Sequence, residues 1–179
     1  MHSGKTTYSE ETLVKIIKQD KQQRDFVYKT GLNILHKSFN SNPKDSCVPG
    51  GFYYTTLNRG HNYYHYGTLL VIVKIPDDAQ IVQDPDETYG KKWRTDKIIL
   101  CEEYPLFDVK TIEKFNLKIT PDYIIEACVN GKMTVALLKF LRDTTFVQLE
   151  HYELVIIHCA CEYNQFDVLG WLCPPDPKR

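Results

Sequence analysis

The chain lacks several things, and each gap removes a class of function. Its longest apolar run, Leu69-Leu70-Val71-Ile72-Val73, falls far short of the roughly 20 residues that a membrane-spanning helix needs. The opening residues, Met1-His2-Ser3-Gly4-Lys5-Thr6, carry no apolar core of the kind a secretory signal requires. An excess of charge is missing too: 22 basic residues are scattered among 23 acidic ones, for a net charge of −1. A nucleic-acid binder shows a basic stripe, so nucleic acid is excluded as the main partner. These gaps lead to the expectation of a soluble, cytoplasmic protein with no membrane partner. In that setting the six cysteines stay reduced, and most, inside apolar stretches, serve as small hydrophobes.

Complete chemical motifs are also absent. Gly4-Lys5-Thr6 ends like a phosphate-binding loop, but no glycine stands five residues earlier and no strand precedes it. His61 and His65 have the spacing that puts two imidazoles on one face of an α-helix. The glutamate a zinc protease needs beside the first histidine is replaced by Asn62, and no third ligand follows. The acids of Asp84-Pro85-Asp86-Glu87 lack the alternating oxygens and central glycine of a calcium loop. No metal, cofactor or catalytic residue is expected. The tyrosines around Asn62-Tyr63-Tyr64-His65-Tyr66 invite comparison with base-stacking platforms, but Arg59 stands nearly alone as a cation there.

What is present is an ordinary globular composition, 42% apolar and 25% charged over 179 residues, enough for one large or two small domains. Ser9-Glu10-Glu11-Thr12 reads as a capped helix start, and Leu13, Ile16 and Ile17 then form a stripe, predicting a helix over 10–23. Pro49-Gly50-Gly51 leads into the aromatic and β-branched Phe52-Tyr53-Tyr54-Thr55-Thr56, a strand. The paired glycines serve a tight turn or admit a close neighbour, and the tight turn is the favoured reading. Strands follow over 68–75, 80–83 and from Trp93 or Asp96 to Leu100, a small sheet of three or four strands. A connecting helix over 108–117 then precedes Thr120-Pro121-Asp122, a cap, a first-turn proline and an early acid.

The only self-similarity lies between Thr120 and Leu172. Ala127-Cys128 corresponds to Ala160-Cys161, Val135 to Val168 and Leu138 to Trp171, a period of about 33 residues built on helix pairs. Those units resemble ankyrin repeats, with Ile157-His158-Cys159-Ala160 in place of Leu-His-x-Ala. The block Gly50-Gly51-Phe52-Tyr53-Tyr54-Thr55, Tyr66-Gly67, Ile75-Pro76 and Lys92-Trp93-Arg94-Thr95-Asp96-Lys97 resembles the N-terminal region of ankyrin-repeat proteins of mimivirus-type amoeba viruses. Two departures stand out. Thr120-Pro121 comes two residues early, and Val155-Ile156 fills its place in the second copy.

The resemblance implies an α+β fold: an N-terminal sheet domain (1–110) with a covering helix, two ankyrin-like stacked helix hairpins (111–173) and a frayed tail (174–179). It also implies a non-catalytic protein–protein interaction module acting on a host or viral protein, in the host cytoplasm or the virion. Glu126, Asn130, Glu162 and Tyr163 are the candidate partner-binding residues. The alternative is a small-ligand pocket resembling that of ADP-ribosyltransferases, built from Gly51, Tyr53, His61, His65 and Glu103.

Overall fold

A computed structural model describes residues 8–88, 90–144 and 148–174. The opening residues with Gly4-Lys5-Thr6, and all but Pro174 of the expected frayed tail, lie outside the described residues. The chain divides into two compact units, Met1–Pro105 and Leu106–Arg179.

The first unit is built on strands from its start. β1 (Leu13–Ile17), β2 (Gln22–Gln23), β3 (Phe26–Val27) and β4 (Gly31–Ile34) precede β5 (Phe52–Thr56). A 3-10 helix (Leu57–Tyr66) then leads to β6 (Leu69–Lys74), β7 (Ile81–Gln83), β8 (Lys92–Thr95) and β9 (Lys97–Pro105). Seven strands form one antiparallel sheet in the order β4-β9-β6-β1-β5-β8-β7, and β2 and β3 make a separate hairpin.

The expected covering helix over 10–23 is therefore corrected. Its stripe of Leu13, Ile16 and Ile17 belongs to the central strand of the sheet, where Val14 through Ile17 are all buried. Three of those five residues are β-branched, and the strand is buried on both faces with Lys15 in its middle, so Leu13, Ile16 and Ile17 also satisfy helical spacing. Ser9 accepts the Thr12 N–H in a turn (3.0 Å) and starts no helix. The sheet is also larger than three or four strands.

One residue, Asp96, joins β8 to β9, although four inter-strand steps separate them in the sheet order. In a flat sheet that would be roughly 19 Å. The sheet must curl until one bent strand serves both halves. Asp96 fastens the bend, its carbonyl accepting the Leu35 N–H (2.8 Å) and its carboxylate accepting the Gln80 N–H (2.8 Å). Inside the curl Ile17, Phe52, Tyr54, Leu69, Val71, Val73, Ile98 and Leu100 form the core together with Tyr28. The 3-10 helix lies on the other face, where Gly60 approaches Val14.

The second unit is helical: α1 (Val109–Phe115), α2 (Pro121–Val129), α3 (Val135–Thr144), a 3-10 turn (Leu149–Tyr152), α4 (Glu153–Glu162) and α5 (Phe166–Leu172). The Thr120 side chain accepts the Tyr123 N–H with Pro121 at the first helical position, the cap that the sequence predicts. Tyr123 is fully buried and donates to the Leu106 carbonyl (2.9 Å). Ala127 and Ala160 are both fully buried, on helices that pack together, α2 with α4. The same turn closes each: the Lys132 N–H donates to Ala127 (2.7 Å), and the Gln165 N–H to Ala160 (2.8 Å).

The expectation of ankyrin-like stacked hairpins is nevertheless corrected. Among the described residues the helices are short, α4 packs on α2 and α5 while α3 packs on α1 and α5, and a 3-10 turn leads into α4 in place of a Thr-Pro start. The unit does not take a clear ankyrin-repeat form. The period of 33 marks a recurring helix end; the division into a strand half and a helix half is what holds.

Candidate functional site

The candidate partner-binding residues sit at the ends of α2 and α4. Asn130 is turned back on its own helix, its side-chain amide donating to the Glu126 carbonyl (2.8 Å) and carboxylate (3.2 Å). These two residues satisfy the end of α2. Tyr163 donates its hydroxyl to the Val129 carbonyl and lays its ring on Gly131, where an added Cβ would stand 2.9 Å from the ring. Glu162 is exposed. The sequence reading missed the apolar residues beside them. Ile125 and Val129, one turn apart on α2, are 38% and 44% exposed, next to Tyr163 at 43%. Helical spacing signals this, since Ile125 and Val129 fall off the face of Ile124, Ala127 and Cys128.

The alternative ligand residues do not converge. Gly51 and Tyr53 line a cavity of about 420 Å³ together with residues of the β2–β3 hairpin, and neither histidine nor Glu103 borders it. His61 and His65 lie on the 3-10 helix, whose three-residue turn places i and i+4 about 120° apart, so they share no face. The His61 Nδ1 lies 3.0 Å from the Asn58 carbonyl, and His65 packs on Tyr66. Glu103, on β9, is paired with Val71 of β6, on the face opposite Val14 and the 3-10 helix, and two strands stand between it and β5. It accepts from Lys21 (2.6 Å) and Thr30 (3.1 Å). Among the described residues, no group of three His, Cys, Asp or Glu side chains is placed to hold a metal ion.

Comparison with known proteins gives relatives from one virus, Acanthamoeba polyphaga mimivirus. "Uncharacterized protein R869" is 39% identical over 100 residues, 54% of this chain and 70% of that protein. The chain belongs to this mimivirus protein family. "Putative ankyrin repeat protein R868" is 39% identical over 99 residues, 55% of this chain and 49% of R868. "Putative ankyrin repeat protein R896" is 32% identical over 127 residues, 71% of this chain and 37% of R896. The chain thus spans about half the length of R868 and less of R896. No family model and no solved structure matches it. No helix among the described residues is long and apolar enough to cross a membrane.

For this family member, the sheet unit holds polar groups that the sequence reading passed over. Arg94 is fully buried and grips the 40–45 loop, donating to the carbonyls of Asn40 (2.8 Å), Asp45 (2.7 Å) and Asn42. Asp84, also buried, accepts from Ser46 (2.7 Å) and the Cys47 N–H (3.1 Å), with Lys92 at 3.3 Å. Burial pushes its carboxyl up, but those donors and the Lys92 ammonium hold it below the usual carboxylate range. This network anchors a loop. Gly50 takes the tight turn (φ +98°), while Gly51 admits a neighbour: a Cβ there would stand 2.9 Å from the Arg94 Cβ. Lys15 is the second surprise, a buried lysine in the middle strand. Its ammonium donates to the Tyr53 carbonyl (2.7 Å) and lies 5.1 Å from the centre of the Tyr28 ring. Desolvation first, and the Arg24 charge second, lower its pKa to about 7.

Proposed function

We propose that this chain is a non-catalytic protein–protein interaction module, acting on a host or viral protein in the infected cell. The observation that carries the reading is the α2 surface. It leaves Ile125 and Val129 open beside Tyr163, with Glu126, Asn130 and Glu162 around them. An apolar centre inside a polar, acidic rim is the anatomy of a protein interface. Its counterpart is a protein presenting an apolar anchor flanked by basic side chains. The names of R868 and R896 support the same reading, since stacked helical units generally serve as binding surfaces. A net charge of −1 fits a protein partner better than nucleic acid.

The test is affinity capture of the full chain from infected amoebae, followed by reconstitution with the purified partner. Val129→Arg and Ile125→Arg lose the partner while keeping the thermal midpoint. Retention of the partner by both variants overturns the assignment of this surface. Tyr163→Ala is the wrong probe, because that side chain also holds the turn at Gly131.

A further inference from the structure

The cavity in the sheet unit follows from a parting of strands. β1 and β5 pair through Leu13 with Thr56 and Val14 with Thr55, and the ladder then stops. Beyond it the Tyr53 carbonyl is taken by the Lys15 ammonium in place of a backbone N–H. The β2–β3 hairpin and the 35–38 and 49–53 segments surround a space of about 420 Å³, within the usual range for small-molecule sites.

Three lining rings form a single wall. Phe26 meets Phe52 edge-on at 4.7 Å and Tyr28 at 5.0 Å, and Tyr28 lies 5.5 Å from Phe52. Phe26 also stacks on His36 at 5.5 Å, so the wall is fixed before any ligand arrives. The lining charges are Arg24, Lys37 and Asp25, and Lys37 is paired with Asp25. Arg24 lies at the tip of the hairpin in a left-handed conformation (φ +56°) and gives one long hydrogen bond to the Cys47 carbonyl (3.3 Å). A guanidinium carries five N–H donors in a planar fork, so donors remain. Behind Tyr28 stands Lys15, close enough to feel the Arg24 charge. A chain with a net charge of −1 thus presents a locally cationic, aromatic-walled cavity.

We propose that this cavity binds a small planar aromatic molecule bearing one anionic group, with the ring against the half-buried Phe26 and the anion on the Arg24 guanidinium. A neutral ring alone would leave Arg24 without its gain, and a bare anion would leave the half-buried Phe26 ring uncovered. The anion also faces Lys15 across Tyr28, so binding draws a proton onto that amine at neutral pH. The site lies wholly in the sheet unit and does not depend on the helical interface proposed above.

The experiment uses the full chain with 2-naphthoate as probe and 2-naphthalenemethanol as its uncharged counterpart, followed by amide NMR shifts and calorimetry. Naphthoate is expected to shift residues 23–28, 35–38 and 49–53, and to bind at least about tenfold more tightly than the alcohol. Arg24→Gln, at an exposed position, removes that preference and leaves alcohol binding unchanged. Calorimetry near pH 7 in buffers of different ionisation enthalpy shows proton uptake, which Lys15→Met abolishes. Absence of binding, equal affinity for the two probes, shifts elsewhere in the chain, or naphthoate binding indifferent to Arg24→Gln each overturns the proposal.

Discussion

The Lys15 ammonium donates to the Tyr53 carbonyl at 2.7 Å at the point where their two strands stop pairing. A charged amine in that position has lost its water and has one carbonyl and one ring face in return. The folded chain therefore sheds this proton at about pH 7, whereas an unfolded lysine keeps it to roughly pH 10.4. Between those values the unfolded state binds more protons, so stability rises with pH. The slope in this window approaches about 1.4 kcal/mol per pH unit, and the contribution is flat below it. Urea unfolding of wild type and Lys15→Met at pH 6 to 9 checks this. The difference between the two cancels the other titrating groups, and a difference that does not change across the series would refute it.

Gly51 and Arg94 are coupled by contact. Gly51→Ala drives a Cβ to 2.9 Å from the Arg94 Cβ, and is expected to cost about 1–3 kcal/mol. Arg94→Met strands three carbonyls of the 40–45 loop and removes a buried cation 4.0 Å from Asp84, for a loss of about 3 kcal/mol or more. Denaturant midpoints measure both. The two positions touch, so the loss in the double variant should depart from the sum of the single losses.

The turn after α2 is held from α4 and α5 by two side chains. Gln165 donates to Gly131 (3.1 Å) and Met133 (2.7 Å), and Tyr163 donates to Val129. Gln165→Ala should cost about 1–3 kcal/mol, since it leaves two carbonyls without that amide. Tyr163→Phe should cost about 0.5–1.5 kcal/mol. Hydrogen exchange localised to 127–134 distinguishes this loosening from global destabilisation.

The α2 surface behaves differently. Ile125→Arg and Val129→Arg remove exposed side chains and are expected to change stability by no more than about 0.5 kcal/mol. Partner capture is lost in both. A large fall in the thermal midpoint would show that these positions are structural instead.

Helices α2 to α5 were legible because their ends carry local chemistry: Thr120-Pro121, Asn130-Gly131 and the left-handed Asn164. β6 was legible because a β-branched run has few other uses. β1 was not, because five residues, four of them buried, satisfy two periodicities and only distant partners, β5 and β6, decide between them. The same non-locality hid the cavity. Arg24, Phe26 and Phe52 meet through tertiary folding, and nothing near them in the chain announces it. The histidine pair shows the converse, since its spacing carries meaning only in a helix of 3.6 residues per turn and it sits in a tighter one.

The bend at Asp96 has a consequence for how this chain is born. Among the described residues β4 finds its neighbour only in β9, with Gly31 waiting for Leu100, and β1 waits for β5 and β6. Pairings so far apart in sequence make for slow folding. During synthesis, Leu13 to Ile17 and Leu32 to Ile34 leave the ribosome well before the strands that will cover or join them, as naked β-forming tracts open to aggregation. The nascent chain thus leaves these tracts uncovered until its ninth strand has been translated.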